Sequence, residues 1–406
     1  RYIADIKNRD IRKSRKNKNT EKYKGVRLLP TKGEFFMEEK LVKGQWSKER
    51  AWQWYNEQPW IRGYNGYPSN CVNRIAMWQE YEHEEVFKQI EYEFNLAKET
   101  GFNAVRAIIQ FECWYYQHDS FMNNLEEYFT LADKYGLKVM LTLGNDCTVP
   151  KEKFKPVVFG KQNVDWGYHS GIKAGPHAAG LVGPGYCLLD DPEIEPKYYE
   201  MVDELAAKYS QDQRLQIWDV WNEPGNGRRD NLSLKAMKKF FEIIRSHNPI
   251  QPLTADCWSY TEDFMPKREM EKMAVDLSDV ITFHYYGSYE NMIIIIENLK
   301  KYGRPLINNE WLNRIAGNDV KELFPLFYLE KIGSYHWGLI AGYSQTYEPW
   351  GHYFVDYLKE GSTLDLTKWQ HDIYRFNGLP YDVKEINTIK RFCVLAAAKE
   401  AENNKK

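Results

Sequence analysis

The sequence lacks the signals that would attract a metal ion, a membrane or a polyanion. Its six cysteines show no CxxC pair or other zinc-ligand spacing, and their wide separation argues against a disulfide-stapled scaffold. The longest aliphatic run, Met292–Ile296, is far too short to span a bilayer. The formal net charge is −2, so there is no general electrostatic attraction to nucleic acid or to an anionic membrane.

One segment is much more positively charged than the rest of the chain. Lys7 to Arg27 is rich in Lys and Arg and poor in apolar residues, which predicts a solvated arm within an N-terminal extension, residues 1–58, packed on the main domain. The rest of the chain is not basic, which argues against a nucleic-acid-binding tail. No signal peptide is recognisable from Arg1 onward, so the compartment stays open, with a secreted or periplasmic location favoured; the oligomeric state is not indicated.

The composition is that of a globular protein with many aromatic residues. Hydrophobic residues make up 43% and charged residues 28%, and there are 14 Trp and 29 Tyr. Aromatic rings stack on the flat C–H faces of sugars, which favours a carbohydrate partner, but large cores also use aromatics. Composition alone therefore does not decide between the two.

From about Trp60 onward, short apolar runs alternate with amphipathic stretches, which is typical of repeated βα units. Gly101, Gly136 and Gly303 each stand between a helix and a strand, where a left-handed residue ends a helix. The pattern predicts a single α/β domain over residues 59–406, a (β/α)8 TIM barrel. The predicted strands are Trp60–Asn65, Asn103–Gln110, Leu137–Gly144, Leu215–Asn222, Pro252–Trp258, Val280–Tyr286, Pro305–Glu310 and His336–Tyr343.

Helices are predicted between these strands. Apolar residues recur at three- and four-residue steps around Phe87–Ala97 and Leu125–Ala132. After the third strand comes a glycine-rich segment, residues 145–192, too long for an ordinary loop and therefore predicted to form a lid or cleft wall. Its aromatic and histidine residues are Trp166, Tyr168, His169, His177 and Tyr186. Further predicted helices are Pro196–Tyr209, Leu232–Ser246, Ser288–Tyr302, Val320–Ile332 and Val383–Glu400.

Two of the predicted strands end in a glutamate. Leu215–Asn222 runs directly into Glu223 and Pro224, and the seventh strand ends at Glu310. Strands four and seven face each other across a barrel, and the chemistry of such barrels lies at the carboxyl ends of the strands. Two carboxyl groups that meet there suit glycosidic cleavage, because one donates a proton and the other attacks or activates water. We assign Glu223 as the acid/base and Glu310 as the nucleophile.

These motifs resemble clan A glycoside hydrolases, which include cellulase, β-mannanase and β-galactosidase barrels. The resemblance rests on Asn-Glu-Pro after strand four, glutamate after strand seven and His-x-Tyr, beginning at His284, after strand six. It extends over residues 59–395 and implies retention of anomeric configuration. Some segments are also similar to bacterial proteins loosely labelled cellulase- or xylanase-like. By the resemblance, Asn222 bonds the substrate 2-hydroxyl, Arg106 supports the nucleophile, Tyr286 bonds it, and His284 lines the pocket.

The match is poorer at strand eight. The clan usually has a sugar-platform tryptophan at the end of this strand, whereas Trp337 lies near the start of the predicted strand. Trp350 or Gln345 is expected to take that place.

Each candidate also has a structural interpretation. Arg106 could be a buried ion-pair partner, and His284 and Tyr286 could be core polar groups. Trp258 and Trp114 could be packing residues, although strand ends that face a cleft favour sugar contact.

Two further positions in loops stay ambiguous. Asp146 could bind a substrate hydroxyl or be an exposed turn residue. His169 and His177 are expected at the surface and not as metal ligands.

The sequence thus predicts a retaining β-glycoside hydrolase that cleaves an oligo- or polysaccharide through a covalent glycosyl-enzyme, without a cofactor. Two alternatives stay open. One is a carbohydrate-binding barrel that has lost turnover, against which the glutamate pair argues. The other is a metal-dependent barrel hydrolase or isomerase, which would need clustered His and Asp at strand ends.

Overall fold

The computed structural model describes residues 41–147, 157–171 and 188–403. Leu41–Lys406 form one compact unit. The basic arm between Lys7 and Arg27 lies outside the described residues, as do His177 and Tyr186. The packing of residues 1–40 therefore stays a prediction, and so does the boundary at residues 58 and 59.

Eight parallel strands form the centre of this unit, in the order β5-β4-β3-β2-β1-β8-β7-β6. A parallel bridge between Cys257 and Phe283 joins β5 to β6 and closes the sheet into a barrel. The predicted (β/α)8 fold is confirmed. The strands are β1 Arg62–Asn65, β2 Ala104–Ile108, β3 Lys138–Asn145, β4 Leu215–Asn222, β5 Leu253–Thr254, β6 Ile281–His284, β7 Leu306–Trp311 and β8 Gly333–His336.

Helices alternate with the strands and surround them. The last helix packs against α10 and α3, which completes the outer ring. The helices are α1 Lys48–Glu57, α2 Arg74–Trp78, α3 His83–Thr100, α4 Phe111–Tyr116, α5 His118–Lys134, α6 Glu195–Tyr209, α7 Leu234–Ser246, α8 Glu269–Leu277, α9 Tyr289–Lys300, α10 Val320–Glu330, α11 Gly351–Tyr357 and α12 Val383–Asn403. In the described part of the chain, no helix combines the length and apolarity that crossing a membrane requires.

The local sequence explains why the units repeat. Strands such as β2 and β4 are buried along their whole length, which accounts for their mainly apolar sequences. The predicted turn glycines have left-handed backbones, with φ of 105° at Gly101, 71° at Gly136 and 74° at Gly303. A side chain at these positions would be strained, so glycine fixes where each helix ends.

The amino-terminal end of the barrel is closed by the segment before β1. Trp46 and residues of α1 form a separate apolar cluster with inward-facing strand residues, including Met140, Ile217 and Tyr335. The Trp46 backbone N–H donates to Asp279 at 2.9 Å, and Arg304 donates to the Trp46 carbonyl at 3.0 Å. Only the carboxyl end of the barrel therefore remains open for a substrate.

The eighth strand is not where the sequence analysis put it. The prediction was His336–Tyr343, whereas β8 is Gly333–His336. The chain turns at Gly338, whose φ is 77°, and the apolar residues that follow are buried in the loop between β8 and α11. The correction moves Trp337 from the start of a strand to the position directly after one.

Candidate active site

A single arginine organises the open end of the barrel. Arg106, on β2, is buried, and all five of its N–H donors have an acceptor. The Nη1 group donates to Glu310 at 2.6 Å, and the other donors reach residues of β1, β4 and the segment after β5. These four contacts are Asn65 at 2.8 Å, Asp219 at 2.7 Å, Asn222 at 2.7 Å and Asp256 at 2.8 Å.

Glu310, on β7, is 5% exposed and is held from both sides. Its Oε1 accepts from Arg106, and its Oε2 accepts from the Tyr286 hydroxyl at 2.8 Å. Its orientation is therefore fixed without a ligand. Burial raises the pKa of Glu310, although the positive charges of His284 and Arg106 act in the opposite direction.

Glu223 follows β4 in a strained backbone conformation. Its φ is 44°, a left-handed value that non-glycine residues seldom adopt and that is often found at functional sites. The loop after it is held by Asp146, which accepts from the Gly225 backbone at 2.6 Å, from Arg229 at 3.0 Å and from Ser233 at 2.7 Å. The expectations for Asp146 are thus wrong: the carboxylate is neither exposed nor free for a hydroxyl, because it is buried and holds this loop.

The Glu223 carboxylate is bonded to three side chains. Its Oε1 lies 2.9 Å from His284 Nδ1, and its Oε2 accepts from the Cys147 thiol at 2.9 Å and from the Asn226 amide. Cys147 also accepts from Asn222, at 3.4 Å. The side chain of Glu223 is 13% exposed, which leaves it accessible from the cleft.

His284, at the end of β6, lies between the acidic groups. Its Nδ1 is 3.4 Å from Glu310 Oε2, and its Nε2 is 3.1 Å from Asp256 Oδ2. Burial disfavours its positive charge, but Glu310, Asp256 and Glu223 outweigh burial and raise the pKa of His284 to about 10. Burial acts to raise the pKa of Glu223 as well, yet His284, followed by Cys147 and Asn226, lowers it.

The two glutamates face a common space. One oxygen from each, together with one nitrogen of His284, all lie within 4.8 Å of one another. This group is also the one cluster with metal-ligand spacing among the described residues. A cation placed there would compete with Arg106, 2.6 Å from Glu310, and with the proton on His284, so the local charge argues against a metal.

Aromatic side chains line the cleft around the pair. Trp350 contacts the ring of Tyr286 at 5.3 Å and that of Tyr168, from the glycine-rich loop, at 6.0 Å. Trp258 is half-buried, and its Nε1 donates to the Pro224 carbonyl, next to Glu223, at 2.8 Å.

Two predicted binding residues have other contacts. The amide of Gln345 is used by the backbone of Asp165 and Gly167, so this residue holds the glycine-rich loop. Trp114 lies in α4 and donates to Glu204 of α6 at 2.8 Å, so it packs between helices. The indole N–H of Trp114 and the amide of Gln345 are therefore already bonded within the protein, and sugar contact by either residue stays a prediction.

Trp337 lies against a narrow pocket beside Arg106 and Asn65. Its indole N–H is buried and has no hydrogen-bond partner among the described residues. The ring of His169 lies 5.8 Å away, so this histidine is part of the cleft wall and not a surface residue as expected. Burial, and then the charge of Arg74, lower the pKa of His169 to about 3.

Several site residues were missed in the sequence. Asp256 follows β5 and accepts from Arg106, from Asn309 at 2.6 Å and from Thr282 at 2.8 Å. A lone acid inside an otherwise apolar predicted strand was the available signal. Cys147 and Asn65 had no comparable signal, because each becomes significant only through the contacts of Glu223 and Arg106.

Comparison with known families agrees with this geometry. The model of the cellulases, glycosyl hydrolase family 5, matches residues 64–360, well over half of the chain. The resemblance to clan A is thereby confirmed. A search of curated proteins found no match.

Solved structures with the same fold include two mannosidases. An exo-β-1,4-mannosidase from Opitutaceae bacterium strain TAV5 is 14% identical, with a TM-score of 0.50 over 84% of this chain and 60% of that one. A variant of a family 5 mannosidase from Rhizomucor miehei is also 14% identical, with a TM-score of 0.50 over 84% of this chain and 94% of that one. At this level of identity the likeness concerns the fold and not the substrate.

Proposed function

The chain belongs to glycosyl hydrolase family 5 and is a glycoside hydrolase, and we propose that it cleaves a β-glycosidic bond of an oligo- or polysaccharide with retention of configuration. Glu310 attacks the anomeric carbon and forms a glycosyl ester, while Glu223 gives a proton to the leaving oxygen. Glu223 then takes a proton from water, which attacks the same carbon and releases Glu310.

The separation of the two carboxyl groups carries this proposal. Retaining enzymes hold them about 5–5.5 Å apart, whereas inverting enzymes leave about 6.5–9.5 Å for a water molecule. An oxygen of Glu223 and an oxygen of Glu310 lie within 4.8 Å, which favours direct attack. Arg106 and Tyr286 support the same role, because they hold Glu310 with both oxygens oriented.

The proton for the leaving group is shared between Glu223 and His284. In the empty cleft the pKa of Glu223 is lowered and that of His284 is raised, so the proton resides mainly on the imidazole. The 2.9 Å contact between Nδ1 and Oε1 lets it pass to Glu223 without a net change of charge in the pair. The two groups titrate together, and the pair is the acid.

Trp337 is the sugar platform in this proposal, in place of Trp350 or Gln345. It directly follows β8, where clan A enzymes usually have their tryptophan, and it lines the pocket beside Arg106. Asn222 keeps its proposed contact with the 2-hydroxyl, while Trp350 and Trp258 extend the cleft on either side of the glutamates.

Replacing the nucleophile tests the mechanism. Glu310→Ala should lower kcat by at least about 10⁴-fold, because no ester can form. Azide should restore part of the activity and give a glycosyl azide of inverted configuration, detectable by NMR. Glu297→Ala, on the exposed side of α9, is the control. Wild-type turnover in Glu310→Ala would exclude this residue as the nucleophile.

Replacing the acid gives an independent test. Glu223→Ala should retain turnover of substrates with acidic leaving groups, such as dinitrophenyl glycosides, and should lose about 10²–10⁴-fold with alkyl or sugar leaving groups. The measurement is kcat/KM against the pKa of the leaving group. An equal loss for every substrate would contradict the role of Glu223.

The metal-binding geometry of Glu223, His284 and Glu310 supports a second candidate, a metal-dependent hydrolase. Activity that disappears after dialysis against a chelator and returns with a divalent cation would favour it. The proposal above expects no change on chelation.

A further inference from the structure

A buried arginine beside the active-site cleft lacks the partners that such a residue normally has. Arg74 opens α2, is 7% exposed, and makes one hydrogen bond, from Nε to the Gln110 side chain at 3.3 Å. Its Nη2 is buried without a hydrogen-bond partner among the described residues. No carboxylate of the described residues lies within ion-pair distance of its guanidinium, and Glu112 is connected to it only through Gln110, which donates to Glu112.

The other buried arginines show how unusual this is. Each of them donates to at least two carbonyl or carboxylate oxygens. Arg229, for example, pairs with both Asp146 and Asp190, and Arg314 with Glu385 and three carbonyls. An unpaired buried cation is costly for folding, so its retention suggests that a partner arrives from outside. The others in this group are Arg62, Arg106, Arg245 and Arg304.

The place where a partner could arrive is the pocket beside Trp337. Arg74 lines it together with Tyr67, Asn65 and Arg106, and the free cavity volume is about 10 Å³, room for roughly one water molecule. Two lining residues are thus positively charged, and none is acidic. Because Arg106 already uses all its donors, Arg74 is the lining cation with hydrogen-bonding capacity to spare.

We infer that Arg74 binds a negatively charged substituent of the glycan, a carboxylate of a uronosyl residue or a sulfate ester, next to the bond that is cleaved. The pocket has room for about one oxygen atom of a group that projects from a sugar ring. A guanidinium donates charge-assisted hydrogen bonds to carboxylate and sulfate oxygens, which are stronger than those to a neutral hydroxyl. This inference rests on the proposed function, since it names the substrate class of the same cleft.

Binding can be measured without turnover. In Glu310→Gln, which is expected to be inactive, isothermal titration compares neutral oligosaccharides with matched chains that carry one uronosyl or one sulfated residue. The charged chains should bind at least ten-fold more tightly, and Arg74→Met should remove that preference. Arg74→Lys keeps the positive charge but not the planar set of N–H donors, so it should retain part of the preference for charged chains. Arg391→Met, on the exposed side of α12, controls for the loss of one positive charge.

The outcomes separate the two proposals. A preference for uronosyl over sulfated chains, or the reverse, identifies the group. Equal binding of charged and neutral chains, or an equal loss for both in Arg74→Met, would overturn the inference even if the protein hydrolyses glycosides. If no glycoside is hydrolysed, the catalytic proposal fails, while the titrations still decide whether Arg74 binds an anion. The melting temperature of each variant verifies that it is folded.

Discussion

Cys147 makes a hydrogen bond to Glu223 that a single substitution removes. The thiol donates to a carboxylate oxygen and therefore favours the ionised form of Glu223. Burial raises the pKa of this glutamate, and His284 and then Cys147 lower it. Without the thiol, Glu223 should keep its proton to higher pH.

We therefore expect Cys147→Ala to move the alkaline limb of the kcat/KM profile to higher pH. The rate at the optimum should fall by no more than about ten-fold, since a thiol is a weak donor and its hydrogen bond contributes on the order of 1 kcal/mol. Cys393→Ala, in α12, is the control. A limb that stays in place, or moves to lower pH, would show that the thiol does not influence this proton.

Site residues at strand ends could be predicted from the sequence, whereas the contacts of residues in loops and short helices could not. Arg106 and Tyr286 were found because a strand-end position already restricts where the side chain can point. The contacts of Trp114 with Glu204 and of Gln345 with the glycine-rich loop were not foreseen, because the direction of a side chain in a loop or short helix cannot be derived from periodicity. Arg74 gave no signal, since an arginine at the start of a short helix is ordinarily exposed and only burial makes it unusual.

At the scale of elements, the loop between β4 and α7 connects the acid to the glycine-rich segment. Arg229 in this loop pairs with Asp146 after β3 and, through two contacts of 2.6 Å, with Asp190 before α6. The pairing sets the path of the chain that carries Glu223.

Arg229→Met should destabilise the fold by about 3–5 kcal/mol, because it leaves Asp146 buried without its cation. It should also lower kcat, since the strained Glu223 backbone loses its support. Arg228→Met, at the exposed neighbouring position, is the matched control. Thermal unfolding and kinetics on an aryl glycoside measure the two effects, and unchanged values in both would contradict this role of the pairing.

Strand eight shows why element boundaries were less predictable than element types. The run from Leu339 to Ala341 is apolar and fully buried, which is what a strand requires, but it is buried in a loop that bridges to Tyr374. Local pattern does not distinguish these environments. The seven other strands were located because each is buried on both faces and bordered by polar or glycine residues.

At the scale of the whole molecule, buried neutral histidines make the fold sensitive to acid. His336 on β8 is 1% exposed, and burial, followed by the charge of Arg314, lowers its pKa to about 3. Burial also keeps the pKa of His371 well below its usual value. An unfolded histidine titrates near 6.5, so between about pH 6.5 and 3 these two histidines bind more protons in the unfolded chain than in the folded one.

The contribution of these two histidines to the free energy of unfolding should accordingly decrease as the pH falls from about 6.5 towards 3. His336→Gln should reduce the slope in this range. Denaturant unfolding at a series of pH values measures the slope. An unaltered slope in His336→Gln would mean that this histidine does not contribute to acid unfolding.

The five hydrogen bonds of Arg106 have a consequence for the energetics of turnover. They join β1, β4, β7 and the end of β5 to one rigid guanidinium, so the dipoles around the reacting carbon are oriented once, when the chain folds. A substrate that enters the cleft therefore meets polar groups that are already oriented. The chemical step then requires little reorganisation energy.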